Sequence, residues 1–178
     1  LDDQAALNGI LFVSRTGIAW EDLPQELGFG SGMTCWRRLR DWQAAGVWHR
    51  LHLLLLAELR SIGQLDLSRA NLDGASVPSP RGGSHTGANP TDRGKLGSKR
   101  HLVTDRQGIP LMFCVTGANR HDAVVFEALV DAMPAIGGLP GRPLRRPDRM
   151  HADKGYDSPR CHAHLKRRDQ GSHRSQGH

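Results

Sequence analysis

The chain has 178 residues, 38% hydrophobic and 24% charged, with a formal net charge of +6. That length suits one medium domain or two small ones, and the composition excludes a coiled coil and a chain disordered throughout. No apolar run exceeds five residues, the length of Leu53 to Ala57, far short of the roughly 20 a membrane span needs.

No charged-then-apolar leader opens the sequence, so secretion is not indicated. Cys35, Cys114 and Cys161 form no CxxC pair. A disulfide framework or a zinc module is therefore unsupported, and a reducing cytoplasm fits. Residues 1–66 carry six basic and eight acidic side chains, whereas residues 67–178 carry eighteen basic and ten acidic. The basic second half points to a polyanionic partner. Arginine outnumbers lysine twenty to four, a bias that suits bidentate contacts to phosphate and guanine.

In chain order, residues 2–14 read as a helix with Leu7, Ile10, Leu11 and Ser14 on one face. A short helix around Trp20 to Leu27 must be brief or kinked, because Pro24 lies inside it. A third helix starts near Ser31 or Thr34, either a good N-cap, and Trp36, Leu39 and Trp42 mark its buried face. Gly46 caps its end. A fourth runs from Val47 to Ile62 with Trp48, Leu51, Leu55, Leu59 and Ile62 inward. All four tryptophans lie between positions 20 and 48, which gives this helical region its own small core.

The pattern then changes. Leu65 to Leu72 reads as a strand ending at Asp73, and residues 79–98 as a long polar loop. His101 to Asp105 and Ile109 to Thr116 read as strands joined by a turn at Arg106-Gln107-Gly108. Asp122 to Met133 reads as a helix that Asp122 caps, Arg149 to Ala152 as a short strand delivering Asp153, and Pro159 as the first turn of a final helix. Arg167 to His178 holds no apolar residue, and disorder is expected there.

Asp73 and Asp153 stand out because each sits at the end of a predicted strand, close to a glycine. Strand-end acids from neighbouring strands can meet. Two carboxylates at about 4 Å repel by up to several kcal/mol, depending on solvent access, unless a cation lies between them. Such a pair implies a hard divalent ion, Mg²⁺ or Mn²⁺. The alternative is that each aspartate simply caps a turn.

The stretches TGANPTDRGKLGSKRHLVTDRQGIPL, VTGANRHD and HADKGYDS resemble a DDE transposase of a bacterial insertion sequence, of the group named after insertion sequence five. LNGILFVSRTGIAWEDLPQELG and CWRRLRDWQAAGVWHRL resemble that group's N-terminal DNA-binding region. The likeness covers most of residues 5–165. It implies an α/β fold: an RNase H-like core over 65–168, a mixed sheet with flanking helices. A small all-α, helix-turn-helix-like DNA-binding region over 1–64 would precede it, and a divergent, disordered tail over 169–178 would follow. It also implies DNA transposition, with metal-activated water cutting the strand at the element's ends. The partners would be double-stranded DNA, both terminal inverted repeats and target, with a possible homodimer, in the cytoplasm at the nucleoid.

The resemblance maps the family's first two acids onto Asp73 in LDGASV and Asp153 in HADKGYDS, as catalytic and Mg²⁺- or Mn²⁺-binding residues. The family's third acid is a glutamate a few dozen residues further on. Here no Glu follows Glu127, and neither Asp157 nor Asp169 is nominated in its place. The copy therefore reads as incomplete at both ends and impaired or inactive alone. Alternatives are a non-catalytic DNA-binding remnant that regulates transposition, or the first half of a frameshifted split enzyme. A different metal-dependent nuclease of RNase H-like fold also stays open.

For DNA contact the candidates are Arg37, Arg38 and Arg40 on the third helix, as on a recognition helix. Arg93, Lys95, Lys99 and Arg100 join them from a Gly-rich loop suited to phosphate. Each set can equally be a solvated face. Cys161, His162 and His164 are read as structural rather than metal-binding, and His151 as a neighbour of the site on Asp153's side of its strand.

Overall fold

The computed structural model describes residues 2–156 and 158–174, without the side chains of Lys154 and of residues 167–174. The chain divides into two compact units, Leu1–Leu55 and Leu56–His178. Among the described residues no helix is long and apolar enough to cross a membrane.

The first unit is helical. Helix α1 spans Asp3–Thr16 and α2 spans Gly32–Ala44. Two short 3₁₀ turns, Trp20–Asp22 and Gln25–Leu27, lie between them. They are the interrupted helix that Pro24 requires. Ser31 caps α2, its hydroxyl accepting from the Thr34 amide at 3.2 Å. The core of this unit is Ile10, Val13, Leu23 and Cys35, with Phe12, Trp20, Trp42 and Trp48 packed against it. Trp36 departs from the expected buried face. It is 40% exposed and carries the Arg40 guanidinium 5.3 Å above its ring, while Cys35 takes the core position.

Helix α3 spans Val47–Ser61, and the division between the units falls within it. The expected inward face is wrong in part: Leu51, Leu55 and Ile62 are exposed and Leu56 is buried. Four consecutive leucines, Leu53 to Leu56, leave the apolar period without a unique phase.

The second unit is mixed α/β. Its strands are β1 (Ala70–Pro78), β2 (Gly87–Ala88), β3 (Leu96–Thr104), β4 (Pro110–Gly117) and β5 (Met150–Ala152). Its helices are α4 (Asp122–Asp131) and α5 (Pro159–Arg174). Strand β3 is central, antiparallel to β1 on one side and to β4 and the short β2 on the other. Strand β5 joins the far side of β1 in parallel. A parallel neighbour needs a crossover, and the chain between β4 and β5 supplies one that includes α4. The core gathers Leu72, Val103 and Leu111 from the sheet with Phe126, Leu129 and Val130 from α4 and Tyr156 and Cys161 beyond β5.

Three boundaries differ from the sequence reading. Strand β1 begins at Ala70 and runs through Asp73 instead of ending there, because β3 pairs with it from Asn71 to Pro78. The polar loop ends earlier than expected, and Lys99 and Arg100 are strand residues opposite Ser76 and Ala75. A full ladder of backbone bonds outweighs the weak strand propensity of a Gly- and Lys-containing run. Helix α5 continues through 169–174, where disorder was expected. That run holds no proline, and Gln170 and Arg174 in it are good helix formers. Residues 175–178 and the side chains of Asp157 and Asp169 lie outside the described residues.

Asp105 ties the start of this unit to the β3–β4 turn. It is fully buried. Its carboxylate accepts the backbone N–H groups of Asp66 at 2.9 Å and of Gln107 and Ile109 at 2.8 Å. Removing it strands three backbone donors, each able to cost about 1–3 kcal/mol when buried. Asp105→Ala should therefore lower unfolding stability by about 3 kcal/mol or more, and Asp105→Asn, which keeps one acceptor oxygen, by clearly less. Urea denaturation of the two variants measures the difference.

Candidate functional site

The site is built on the parallel pairing of β1 with β5. Ala70 stands beside Met150, Asn71 beside His151 and Leu72 beside Ala152. The next residues are Asp73, still within β1, and Asp153, just beyond the end of β5. Neighbouring strands lie about 4.8 Å apart, and in-register residues of parallel strands point to the same face. Ala70 and Leu72 turn into the core. Asp73 alternates to the opposite, open face and is exposed, as is Asp153. The Asp73 carboxylate also accepts the Gly74 amide at 2.8 Å.

The open face continues across the sheet. Asp73 is opposite Leu102 and Ala75 is opposite Arg100 on β3, and these are opposite Phe113 and Val115 on β4. Phe113 is 65% exposed. Arg100 therefore shares Asp73's face, two residues away along the strand direction, and is exposed. His151 is exposed at the position beside Asn71.

Lys99 alternates to the other face. Its ammonium forms an ion pair with Asp122 Oδ1, and both side chains are more than four-fifths buried. It is thus not the free loop cation that the sequence suggests. Asp122 sits in the first turn of α4, and its cap is His121, whose Nδ1 accepts the Ala123 amide at 3.2 Å. The sequence reading gave the capping role to Asp122. A Cβ on Gly155 would fall 2.6 Å from Asp122 Oδ2, so that position has no room for a side chain.

Beside this pair lies a second polar group that sequence reasoning missed. His101 is fully buried in β3. Its Nδ1 is 2.7 Å from the Tyr156 hydroxyl and its Nε2 is 3.0 Å from Thr116 Oγ1. Burial holds the imidazole below its ordinary pKa, with Lys99 adding to the effect and Asp122 opposing it. Burial also pushes the Tyr156 phenol well up, and Asp122, Asp73, Cys114 and Asp153 push the same way. Both Asp73 and Asp153 thus lie within electrostatic reach of one hydroxyl. A signal for His101 was present: it opens a strand whose alternate positions, His101 and Val103, are both inward.

The remaining candidates are scattered. Arg93, with a left-handed φ of 50°, and exposed Lys95 lie in the turn before β3, where Lys95 is 3.7 Å from Asp92. On α2, Arg40 binds Asp41 at 2.8 Å and Arg38 approaches Asp3 at 3.5 Å, while Arg37 is exposed. Cys161 is buried and next to Ser158 Oγ at 3.2 Å. Glu127, the last glutamate, is held by Arg160 through two contacts of 2.9 Å. Among the described residues no group of three His, Cys, Asp or Glu side chains is placed to hold a metal.

The second unit is a mixed α/β domain with Asp73 in β1 and Asp153 just beyond β5. Comparison with known proteins specifies the class. A family model described as "Transposase DDE domain" matches residues 68–176, and one described as "Putative transposase of IS4/5 family" matches residues 1–52. The chain belongs to the DDE transposases of IS4/5-type insertion elements. Domains of this kind generally use divalent metal ions.

Two relatives come from Burkholderia cepacia. The "Insertion element IS402 uncharacterized 16.2 kDa protein" is 59% identical over 90 residues, covering 51% of this chain and 61% of that protein. The "Putative transposase for insertion sequence element IS402" is 52% identical over 86 residues, 48% of this chain and 40% of that protein. The chain thus spans less than two thirds of either relative. No solved structure matches it.

The depressed His101 pKa gives stability a pH dependence of fixed sign. The unfolded chain takes up the proton near pH 6.5 while the fold resists it. Stability contributed by neutral His101 is present above that pH. It is lost as pH falls below about 6.5 toward the lower folded-state value. Melting temperatures should therefore decline on acidification through this range, and His101→Gln should flatten that decline. Thermal melts of both proteins across the range check it.

Proposed function

We propose that this chain is a DNA-binding portion of an insertion-sequence transposase whose Asp73 and Asp153 hold a divalent cation, Mg²⁺ or Mn²⁺. The observation that carries the reading is the register: the two acids follow directly on the last registered pair of β1 and β5, and each is exposed. Adjacent carboxylates repel, and a hard cation relieves that repulsion. The oxygen-only donor set fits such an ion. When bound, it activates water and stabilises the leaving oxygen in phosphodiester cleavage.

The rest of the reading assigns the chain's own groups. The sheet, with an antiparallel β1–β3–β4 ribbon and a parallel β5, supports an RNase H-like core. The α2–Gly46–α3 arrangement supports a helix-turn-helix-like region, with Arg37 the least committed of its cations. Arg100, next to Asp73 on the open face, takes a phosphate of the strand to be cut. Arg93 and Lys95 add contacts from the neighbouring turn. Lys99 stays with Asp122 and contributes to positioning, not to DNA. The partners are element ends and target DNA, and a homodimer would pair two ends.

Two carboxylates make a partial anionic shell. Asp122, a further acid near the pair, is neutralised by Lys99. A single ion would bind modestly and a second would lack ligands. Among the described residues no third carboxylate is grouped with the pair; two ligands alone would support only weak cleavage, which favours a second reading, a binding protein that occupies element ends and regulates the full enzyme.

Plasmid carrying the matching terminal repeats, supplied with Mn²⁺, tests both. The chain should shift repeat DNA in a salt-dependent way and nick it only weakly. Arg100→Gln should weaken binding and lower the salt slope by roughly one. Asp73→Asn and Asp153→Asn should abolish residual nicking without reducing binding. Efficient nicking would refute the impaired-site account, and indifference to repeat sequence would refute the transposon-end reading.

A further inference from the structure

Asp153 follows a strand of three residues that has one described pairing partner, so β5 by itself fixes it weakly. We propose that Tyr156, His101 and Gly74 form a latch that holds Asp153 beside Asp73, with Tyr156 and His101 as positioning residues for the carboxylate pair. The inference rests on the reading of these two aspartates as the metal-binding pair.

The turn after Asp153, Lys154–Tyr156, closes with the Tyr156 amide donating to the Asp153 carbonyl at 2.9 Å. Tyr156 thereby carries Asp153 wherever its ring goes. The ring is 2% exposed, edge-on to His101 at 6.1 Å and tilted against Phe126 at 6.4 Å. Its hydroxyl binds His101 Nδ1 at 2.7 Å. His101 is the cross-strand partner of Gly74, the residue after Asp73. One hydrogen bond thus joins the Asp153 turn to the strand pair that carries Asp73.

Thr116 Oγ1 lies 3.0 Å from His101 Nε2 and 3.3 Å from the Gly117 carbonyl. Each ring nitrogen of His101 thus has one hydroxyl partner, whichever tautomer the ring holds. A phenylalanine at 156 would fill the same space and leave Nδ1 without its partner.

Gly74 closes the latch from the other side. A Cβ there would lie 2.6 Å from the Tyr156 hydroxyl and 3.3 Å from Lys99 Cε. The backbone of β1 therefore passes directly over the hydroxyl, and any side chain at 74 must push Tyr156, and the turn with it, away. The glycine in LDGASV thus has a steric reason to follow the first acid.

The test measures the spacing of positions 73 and 153 without metal. Asp73→Cys and Asp153→Cys are combined in a Cys114→Ala background, and the rate of disulfide formation is followed well below the melting temperature, with the bond mapped by mass spectrometry. Adjacent strands place Cα atoms within the 4.4–6.8 Å that a disulfide spans. Tyr156→Phe should slow cross-linking roughly three- to ten-fold, the range one lost hydrogen bond allows. His101→Leu should slow it similarly, and the double variant should slow it little further, because both act on one contact. Gly74→Ala, which leaves the hydrogen-bonding groups intact, should also slow it.

An unchanged rate in Tyr156→Phe, with only a lowered melting temperature, overturns the latch and leaves Tyr156 a packing residue. A failure of the metal reading shows separately, as absence of Mn²⁺ binding by the unsubstituted chain. The cross-linking result still decides whether the latch exists.

Discussion

The structure depends most on the parallel alignment of β1 with β5. Two segments about eighty positions apart in the chain are brought side by side by three registered pairs, and the next step of that register is Asp73 with Asp153. A slip by one residue would turn Asp153 to the opposite face from Asp73, because strand side chains alternate. The rest of the second unit enforces the correct register. Leu72 is buried against the helical layer, Asp105 pins the entry to β1, and the Tyr156 ring anchors the exit from β5.

Electrostatics then gives that alignment a chemical meaning. Two like charges at about 4 Å cost roughly 1 kcal/mol in water and about 4 kcal/mol at an effective dielectric near 20. Asp73 and Asp153 are both exposed, so at such a distance the lower figure applies. In the proposed complex, DNA lying over the pair would exclude water, raise that cost and favour a cation between the carboxylates. The buried charges nearby are handled differently. Lys99 and Asp122 form an ion pair on the closed side of the sheet, and burial keeps the His101 imidazole below its ordinary pKa.

Much of the architecture was legible in the amino-acid order, because its signals are local. Ser31 as a cap, Pro24 as an interruption, Gly108 in the hairpin turn and Pro159 at a helix start each act within one turn of chain. The sequence also placed Asp153 just after a short strand, where it lies, but ended β1 at Asp73 when the strand runs on to Pro78. What was not legible depends on distant partners. Periodicity alone does not choose Leu56 over Leu55 in a run of leucines. Lys99 looked like a loop cation until Asp122 met it, and Asp122 looked like a cap until His121 took that role. His101 and Tyr156 are 55 positions apart, and nothing in either neighbourhood announces the hydrogen bond between them.

The account stands on the claim that Asp73 and Asp153 jointly bind one divalent ion. Isothermal titration with Mn²⁺ tests it most directly, on the chain and on its Asp73→Asn and Asp153→Asn variants, each checked for an intact fold. The account predicts a single site that either substitution removes. Equal Mn²⁺ affinity in all three proteins would contradict it.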